Sequence, residues 1–105
     1  MKLSFLGVGE ACDPDHGNTS FQVVTANGVH LLCDCGFTIP HTYFAASRDG
    51  EQLDLVWISH FHGDHFFGVP VLLLRSWEMK RRKPLVVLGP KGLRKTLEAA
   101  MDLAY

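Results

Sequence analysis

The chain has 105 residues, 47% of them hydrophobic, and a formal net charge of -1. That length gives one domain at most, able to bury a working core but with less surface removed from water than a larger domain. The near-zero charge excludes an overall field that gathers nucleic acid or an anionic membrane. The longest apolar candidate, Val69 to Leu74, is too short to span a bilayer, and a soluble cytoplasmic protein with no membrane partner is expected.

Lys2 to Val8 reads as a first strand ended by Gly7 and Gly9; its apolar run is too short for the core of a signal peptide. Cys12 to Asn18 is dense in turn formers and reads as a loop. Thr19 to Thr25, rich in β-branched and aromatic residues, is a second strand. Ala26-Asn27-Gly28 carries the Asn-Gly pair that favours a tight hairpin, and Val29 to Asp34 returns as a third strand. Cys33 and Cys35 lie too close along one strand to bridge without strain. With Cys12 they make an odd count and no disulfide framework. They read as small buried hydrophobes in a reducing compartment, and without a second cysteine pair they do not complete a zinc tetrahedron.

After Gly36, Pro40 to Ser47 predicts a short helix with Thr38 as its cap and Pro40 in its first turn. Leu55 to Ser59 is a continuous apolar strand, the pattern of one covered on both faces. Asp64 to about Lys80 reads as helical, with a kink or restart at Gly68 and Val69-Pro70. The one basic run, Lys80-Arg81-Arg82-Lys83, reads as a solvated loop or helix end. Leu85 to Leu88 is another buried strand. Pro90 to Tyr105 closes as a helix with Leu93, Leu97, Ala100, Met101 and Ala104 on one face. Antiparallel strands followed by a strand-helix-strand-helix unit give an α/β class.

Ser59-His60-Phe61-His62-Gly63-Asp64-His65 is the stretch that carries chemistry. It places three histidines and an aspartate directly after Leu55-Val56-Trp57-Ile58, where ligand sites of α/β sheets tend to lie. Imidazole and carboxylate suit zinc and similar divalent metals. His60 and His62 share one side of an extended backbone and can clasp one metal. Gly63 permits a sharp turn, and Asp64 and His65 open the next helix, displaced from the first pair. That geometry favours two adjacent metals, which can lower the pKa of a bridging water and hold both attacking and leaving oxygens. The bland alternative is a polar turn with surface histidines; the order of four ligand types between a buried strand and a helix favours the metal site. Four ligands are too few for a closed two-metal cage. No histidine follows His65, and the later carboxylates Glu78, Glu98 and Asp102 fall in predicted helices. His16 in a polar loop, His30 on a strand and His41 early in a helix are weaker candidates.

The set His60-x-His62-x-Asp64-His65 resembles the signature of the metallo-β-lactamase superfamily. The longer string Ile58 to Pro70 resembles the ribonuclease Z branch and its phosphodiesterase relatives. Phe5 to Gly9, Asn18 to Phe21, Leu32 to Gly36 and Leu88 to Leu93 each resemble further segments of that branch, so the resemblance covers nearly all of the chain. It implies the N-terminal half of an αββα sandwich, a mixed sheet with an antiparallel meander and then β-α-β-α, and makes residues 1–105 a single partial domain.

The resemblance also implies roles. His60 and His62 would hold a first metal, and Asp64 and His65 a second. Asp64 would also orient the attacking water, and Asp34 would stand behind the ligands and steady their loop. The metals would be zinc, two per complete site, with manganese or iron in some relatives. Relatives of the RNA-processing type continue Asp-Cys-Gly with Glu-Gly-Thr, whereas Phe37-Thr38-Ile39 follows Gly36 here. The expectation is therefore a metal-dependent hydrolase of phosphodiesters, RNA or small molecule, incomplete and inactive in this chain alone. Hydrolysis of another ester, lactone or sulfate, or a non-catalytic assembly module, are the alternatives. Its partner would be a missing C-terminal half, which supplies further ligands, or a second copy.

Overall fold

The computed structural model describes residues 1–105. Strands β1 (Lys2–Gly7), β2 (Ser20–Val24) and β3 (His30–Cys33) form an antiparallel meander, and β4 (Leu55–Trp57) and β5 (Val86–Leu88) extend it in parallel. The five lie side by side in chain order. Parallel neighbours need a crossover. Helix α1 (Ile39–Ala46) links β3 to β4, α2 (Gly63–Phe66) and α3 (Val69–Glu78) link β4 to β5, and α4 (Leu93–Ala104) closes the chain. Two successive crossovers of the usual right hand place their helices on the same face of the sheet. There α1 packs against β1 and α3, and α3 against α4.

The hairpin between β2 and β3 forms as the Asn-Gly pair suggests, but its loop has three residues. Thr25 N–H donates to Val29 O at 3.0 Å and Gly28 N–H donates to Thr25 O at 3.0 Å. Gly28 alone in this loop takes a left-handed φ, 84°, which a glycine adopts without the Cβ penalty.

The register divides the sheet into two faces. Leu3, Val23, Leu31, Leu55 and Val86 stand in one row across all five strands, and Phe5, Phe21, Cys33, Trp57 and Leu88 form the next row on the same face. Leu32 and Val56 point to the opposite face and are fully buried in a core with Ile39, Tyr43, Leu53, Phe66, Val69 and Leu72. Each large side chain of that core contributes about 1.5–3 kcal/mol through burial. Leu93, Leu97 and Ala100 of α4 pack on its margin.

The expectation of full cover for β4 and β5 is corrected by the exposure of their residues. Trp57 is 42% exposed, Val86 47% and Leu88 48%, and Phe5 of β1, in the same row as Trp57 and Leu88, is 64% exposed. An apolar run shows that a strand is built to be covered on both faces; this chain brings helices to only one of them.

One local expectation changes and another, the restart near Gly68, is met. Thr38 occupies the N-cap position of α1, but its side chain makes no cap bond. Its Oγ1 accepts from Asn18 N–H at 2.8 Å instead, while Thr38 N–H donates to Asn18 Oδ1 at 3.2 Å. The restart near Gly68 divides the expected long helix into α2 and α3, with Pro70 in the first turn of α3.

The basic run lies at the largely exposed end of α3, as expected, and is also latched to neighbouring loops. Arg81 donates to Gly50 O at 3.0 Å and Pro84 O at 2.8 Å. The backbone N–H groups of Arg82 and Lys83 donate to Glu51 at 2.7 and 3.0 Å. Lys83 Nζ pairs with Asp54, which also accepts His30 N–H at 2.8 Å. These contacts hold the end of α3 against the loop that enters β4. The two backbone donors hold the Glu51 carboxyl below its ordinary 4.5. The His30 N–H, then Lys83, hold Asp54 below its ordinary 3.8. Both folded pKa values lie below the unfolded ones, so the latch stabilises above about pH 5 and is lost as pH falls through the folded values. The melting temperature should fall on acidification below pH 5, and Glu51→Gln with Asp54→Asn should flatten that fall, as thermal unfolding across pH 3 to 7 will report.

Candidate metal centre

The motif begins two residues beyond β4, after Ile58. Ile58 and Phe66 are buried at its two ends, Ile58 N–H donates to Leu88 O at 2.8 Å, and Phe61 meets Phe66 edge-on with centroids 5.4 Å apart. These apolar anchors alternate with the polar residues, so the imidazoles emerge at the C-terminal edge of the parallel strands. The His60 ring centroid lies 4.7 Å from that of His62 and 4.2 Å from that of His65. Asp64 Oδ2 is 3.3 Å from His65 Nε2. The four expected ligands are thus neighbours. No three His, Cys, Asp or Glu side chains form a cage around one point.

Asp34 organises the cluster from behind. It is only 8% exposed and has a left-handed φ of 64°, a conformation costing roughly 1–2 kcal/mol in a residue with a Cβ and one that aspartate tolerates better than most. Its N–H donates to Trp57 O at 2.8 Å and its carbonyl accepts from Ser20 Oγ at 2.8 Å. Its carboxylate accepts three hydrogen bonds: Ser59 N–H on Oδ1 at 2.7 Å, and Ser59 Oγ–H and His65 Nδ1–H on Oδ2 at 2.6 and 2.7 Å. Ser59 Oγ also lies 2.9 Å from His60 Nδ1.

The neighbouring backbone is fused to the motif. Cys35 N–H donates to His65 O and Gly68 N–H to Cys35 O, each at 2.9 Å. A Cβ on Gly36 would lie 2.0 Å from Asp64 O and 2.5 Å from Asn18 Oδ1. Only glycine fits where these two loops meet.

Cys33 and Cys35 are free and buried. Burial pushes both thiols up, and the Asp34 charge between them adds to the shift. Held as thiols, they match the expected role of small core residues and are poor metal donors. His16 pairs with Asp13 at 3.0 Å in its exposed loop, His30 contacts Gln22 at 3.3 Å, and His41 is exposed on α1. Glu78 pairs with Arg75, and Glu98 and Asp102 are exposed on α4. Nothing in the sequence singles out Ser59 or Asn18 as a candidate; their partners lie 25 and 20 residues away.

A family model described as Anti-Pycsar protein Apyc1 matches residues 1–101. The chain belongs to this family. Its similarities run to ribonucleases Z, and its fold to that of metallo-β-lactamase-fold structures. It is 38% identical over 101 residues to the ribonuclease Z of Exiguobacterium sp. strain AT1b, covering 96% of this chain and 34% of that protein. The human zinc phosphodiesterase ELAC protein 1 is 33% identical over 109 residues, covering 100% of this chain and 30% of its own length. The crystal structure of that protein, the short form of human tRNase Z, superposes with a TM-score of 0.81 at 32% identity over 99% of this chain and 40% of the other. The metallo-β-lactamase fold protein YhfI from Bacillus subtilis superposes with a TM-score of 0.71 at 20% identity, covering 92% and 39%. The architecture is that of the N-terminal half of the αββα sandwich, as the sequence implied. The chain spans about a third of the length of the curated relatives it matches.

The junction at Gly36 has a direct test. Gly36→Ala should cost about 3 kcal/mol, at the upper end of ordinary overpacking, because the obstacle is backbone. Urea unfolding will give the loss, and amide spectra should show the largest shifts at Asp64 and His65.

Proposed function

We propose that this chain, a partial domain, is the metal-holding part of a metal-dependent phosphodiesterase. The observation that carries the reading is the grouping of His60, His62, Asp64 and His65 at the strand edge, with Asp34 bonded to His65 from behind. The donor set fits zinc: imidazole nitrogens and a carboxylate are its ordinary ligands. His65 gives its Nδ1–H to Asp34, the arrangement that leaves the other ring nitrogen for a metal. Its Nε2 and Asp64 Oδ2, at 3.3 Å, are two electron-rich atoms that repel unless a positive centre lies between them. The zinc phosphodiesterase name of a relative agrees.

In this reading His60 and His62 hold one zinc and Asp64 and His65 a second, with the remaining ligands coming from outside the chain; manganese or iron would suit the same donors less specifically. Bound metal would supply Lewis-acid stabilisation of a phosphoryl oxygen and a more acidic water. The chain's own part is to present the ligands and to let the Asp64 carboxylate accept a hydrogen bond from the attacking water and so aim it. A phosphodiester, RNA or small molecule, is the substrate class, supported by the ribonuclease Z and phosphodiesterase names of the relatives. Phe37, 48% exposed beside the site-forming loop, stands where RNA-processing members carry glutamate, and favours a substrate other than a transfer-RNA precursor.

The bare apolar sheet face supports the partner reading. Either the C-terminal half of a longer protein or a second copy covers it, and either would bring further ligands to the edge where the motif lies. Without that cover the chain is a folded, inactive assembly module.

Native mass spectrometry with zinc present tests this. The wild-type chain should take up zinc and His62→Ala should lose tight uptake. Equal metal content in the two would remove the site, and the subunit number in the same spectra reports self-association. Assays of the metal-loaded, covered protein on a chromogenic phosphodiester beside a sulfate ester and a lactone should favour the phosphodiester.

A further inference from the structure

We propose that Ser59 is a positioning residue that carries the influence of Asp34 to His60, so that one carboxylate sets the ring tautomer of two histidines. Counting protons fixes the direction of each bond. Ser59 Oγ has one hydrogen and two close polar neighbours, Asp34 Oδ2 at 2.6 Å and His60 Nδ1 at 2.9 Å. A carboxylate only accepts. If the hydroxyl pointed at His60, two bare oxygens would face each other at 2.6 Å. The hydrogen therefore goes to Asp34, and the Ser59 oxygen is left to accept from His60 Nδ1–H. His60 then has its lone pair on Nε2.

His65 reaches the same state by the direct route, since its Nδ1 lies 2.7 Å from the same carboxylate oxygen. Asp34 Oδ2 thus ends two hydrogen-bonded arms, one direct and one through Ser59. Its Oδ1 is occupied by Ser59 N–H at 2.7 Å, so the carboxylate cannot rotate to serve only one arm. The Ser59 backbone and side chain grip both oxygens of Asp34, which keeps the hydroxyl in place as an acceptor. The left-handed turn at Asp34 delivers the carboxylate to this position. Both imidazoles are set before any ligand arrives, and a ligand that needs their Nε2 lone pairs requires no tautomer change.

The inference rests on the metal-site reading for its purpose but not for its test, because tautomers are measured in the metal-free protein. Long-range proton–nitrogen spectra of the histidine-labelled 105-residue chain, at a pH where the rings are neutral, report each ring separately. In the wild type, His60 and His65 should both show protonated Nδ1 and bare Nε2. Ser59→Ala should move His60 toward the Nε2–H form while His65 stays unchanged, and Ser59→Thr, which keeps the hydroxyl, should restore His60. Zinc titration of the same samples should show affinity about tenfold weaker in Ser59→Ala and recovery in Ser59→Thr. A wild-type His60 with its proton on Nε2, or a His60 tautomer indifferent to Ser59→Ala, would overturn the proposal. The wild-type spectrum decides even if the alanine variant does not fold. Correct tautomers without zinc uptake in the wild type would leave the relay standing and remove the metal site alone.

Discussion

One buried carboxylate holds this structure's two working loops together. Asp34 sits where β3 ends, and its side chain reaches across to the loop that leaves β4. The two strands are parallel neighbours, so their C-terminal ends already lie side by side. The carboxylate joins the two loops that leave those ends. Without it, the segment from Ser59 to His65 would keep its apolar anchors at Ile58 and Phe66 but lose the restraint on its polar side. The left-handed backbone of Asp34 is a local cost that the surrounding bonds outweigh: charge-assisted hydrogen bonds contribute about 1.5–3 kcal/mol each, against roughly 1–2 kcal/mol for the turn.

The residues after Asp34 serve the same junction. Cys35 is wholly buried and exchanges backbone bonds with His65 and Gly68. Gly36 lets the chain pass against the Asp64 carbonyl. Asn18 and Thr38 then tie the first loop to the start of α1 through two reciprocal bonds. The site is therefore built from three separate parts of the chain that close on one another. The short strands contribute little beyond setting the spacing of those parts.

Much of this is legible in the sequence because the signals are local. β-Branched and aromatic runs and turn residues point to the meander, Gly68 and Pro70 to the break between α2 and α3, and His60 to His65 read as a ligand cluster on residue type and order alone. The Asp-Cys-Gly run draws attention to Asp34 through its resemblance to a family segment, and the structure adds its partners. The features that stay hidden are mutual and distant. Thr38 looks like a helix cap because its pairing with Asn18 is invisible along the chain. Arg81 looks like a solvated charge until Gly50 and Pro84 are brought to it. Hydrophobic strands in β4 and β5 state a need for cover on both faces, but sequence pattern does not say which molecule meets that need.

The edges of the sheet decide how that need can be met. β5 has only three residues, and β1 carries an irregularity between Phe5 and Gly7 and begins with Lys2. Short, bulged or charged edge strands are poor templates for adding further strands. Growth sideways into an extended sheet is therefore discouraged, while the apolar rows invite stacking from above. Under the proposed cover, stacking would consume the face that drives it and close the assembly after one layer, in contrast to the open-ended growth of fibres built from unsaturated contacts. The same strand geometry that leaves an apolar face bare also limits what could be built upon it.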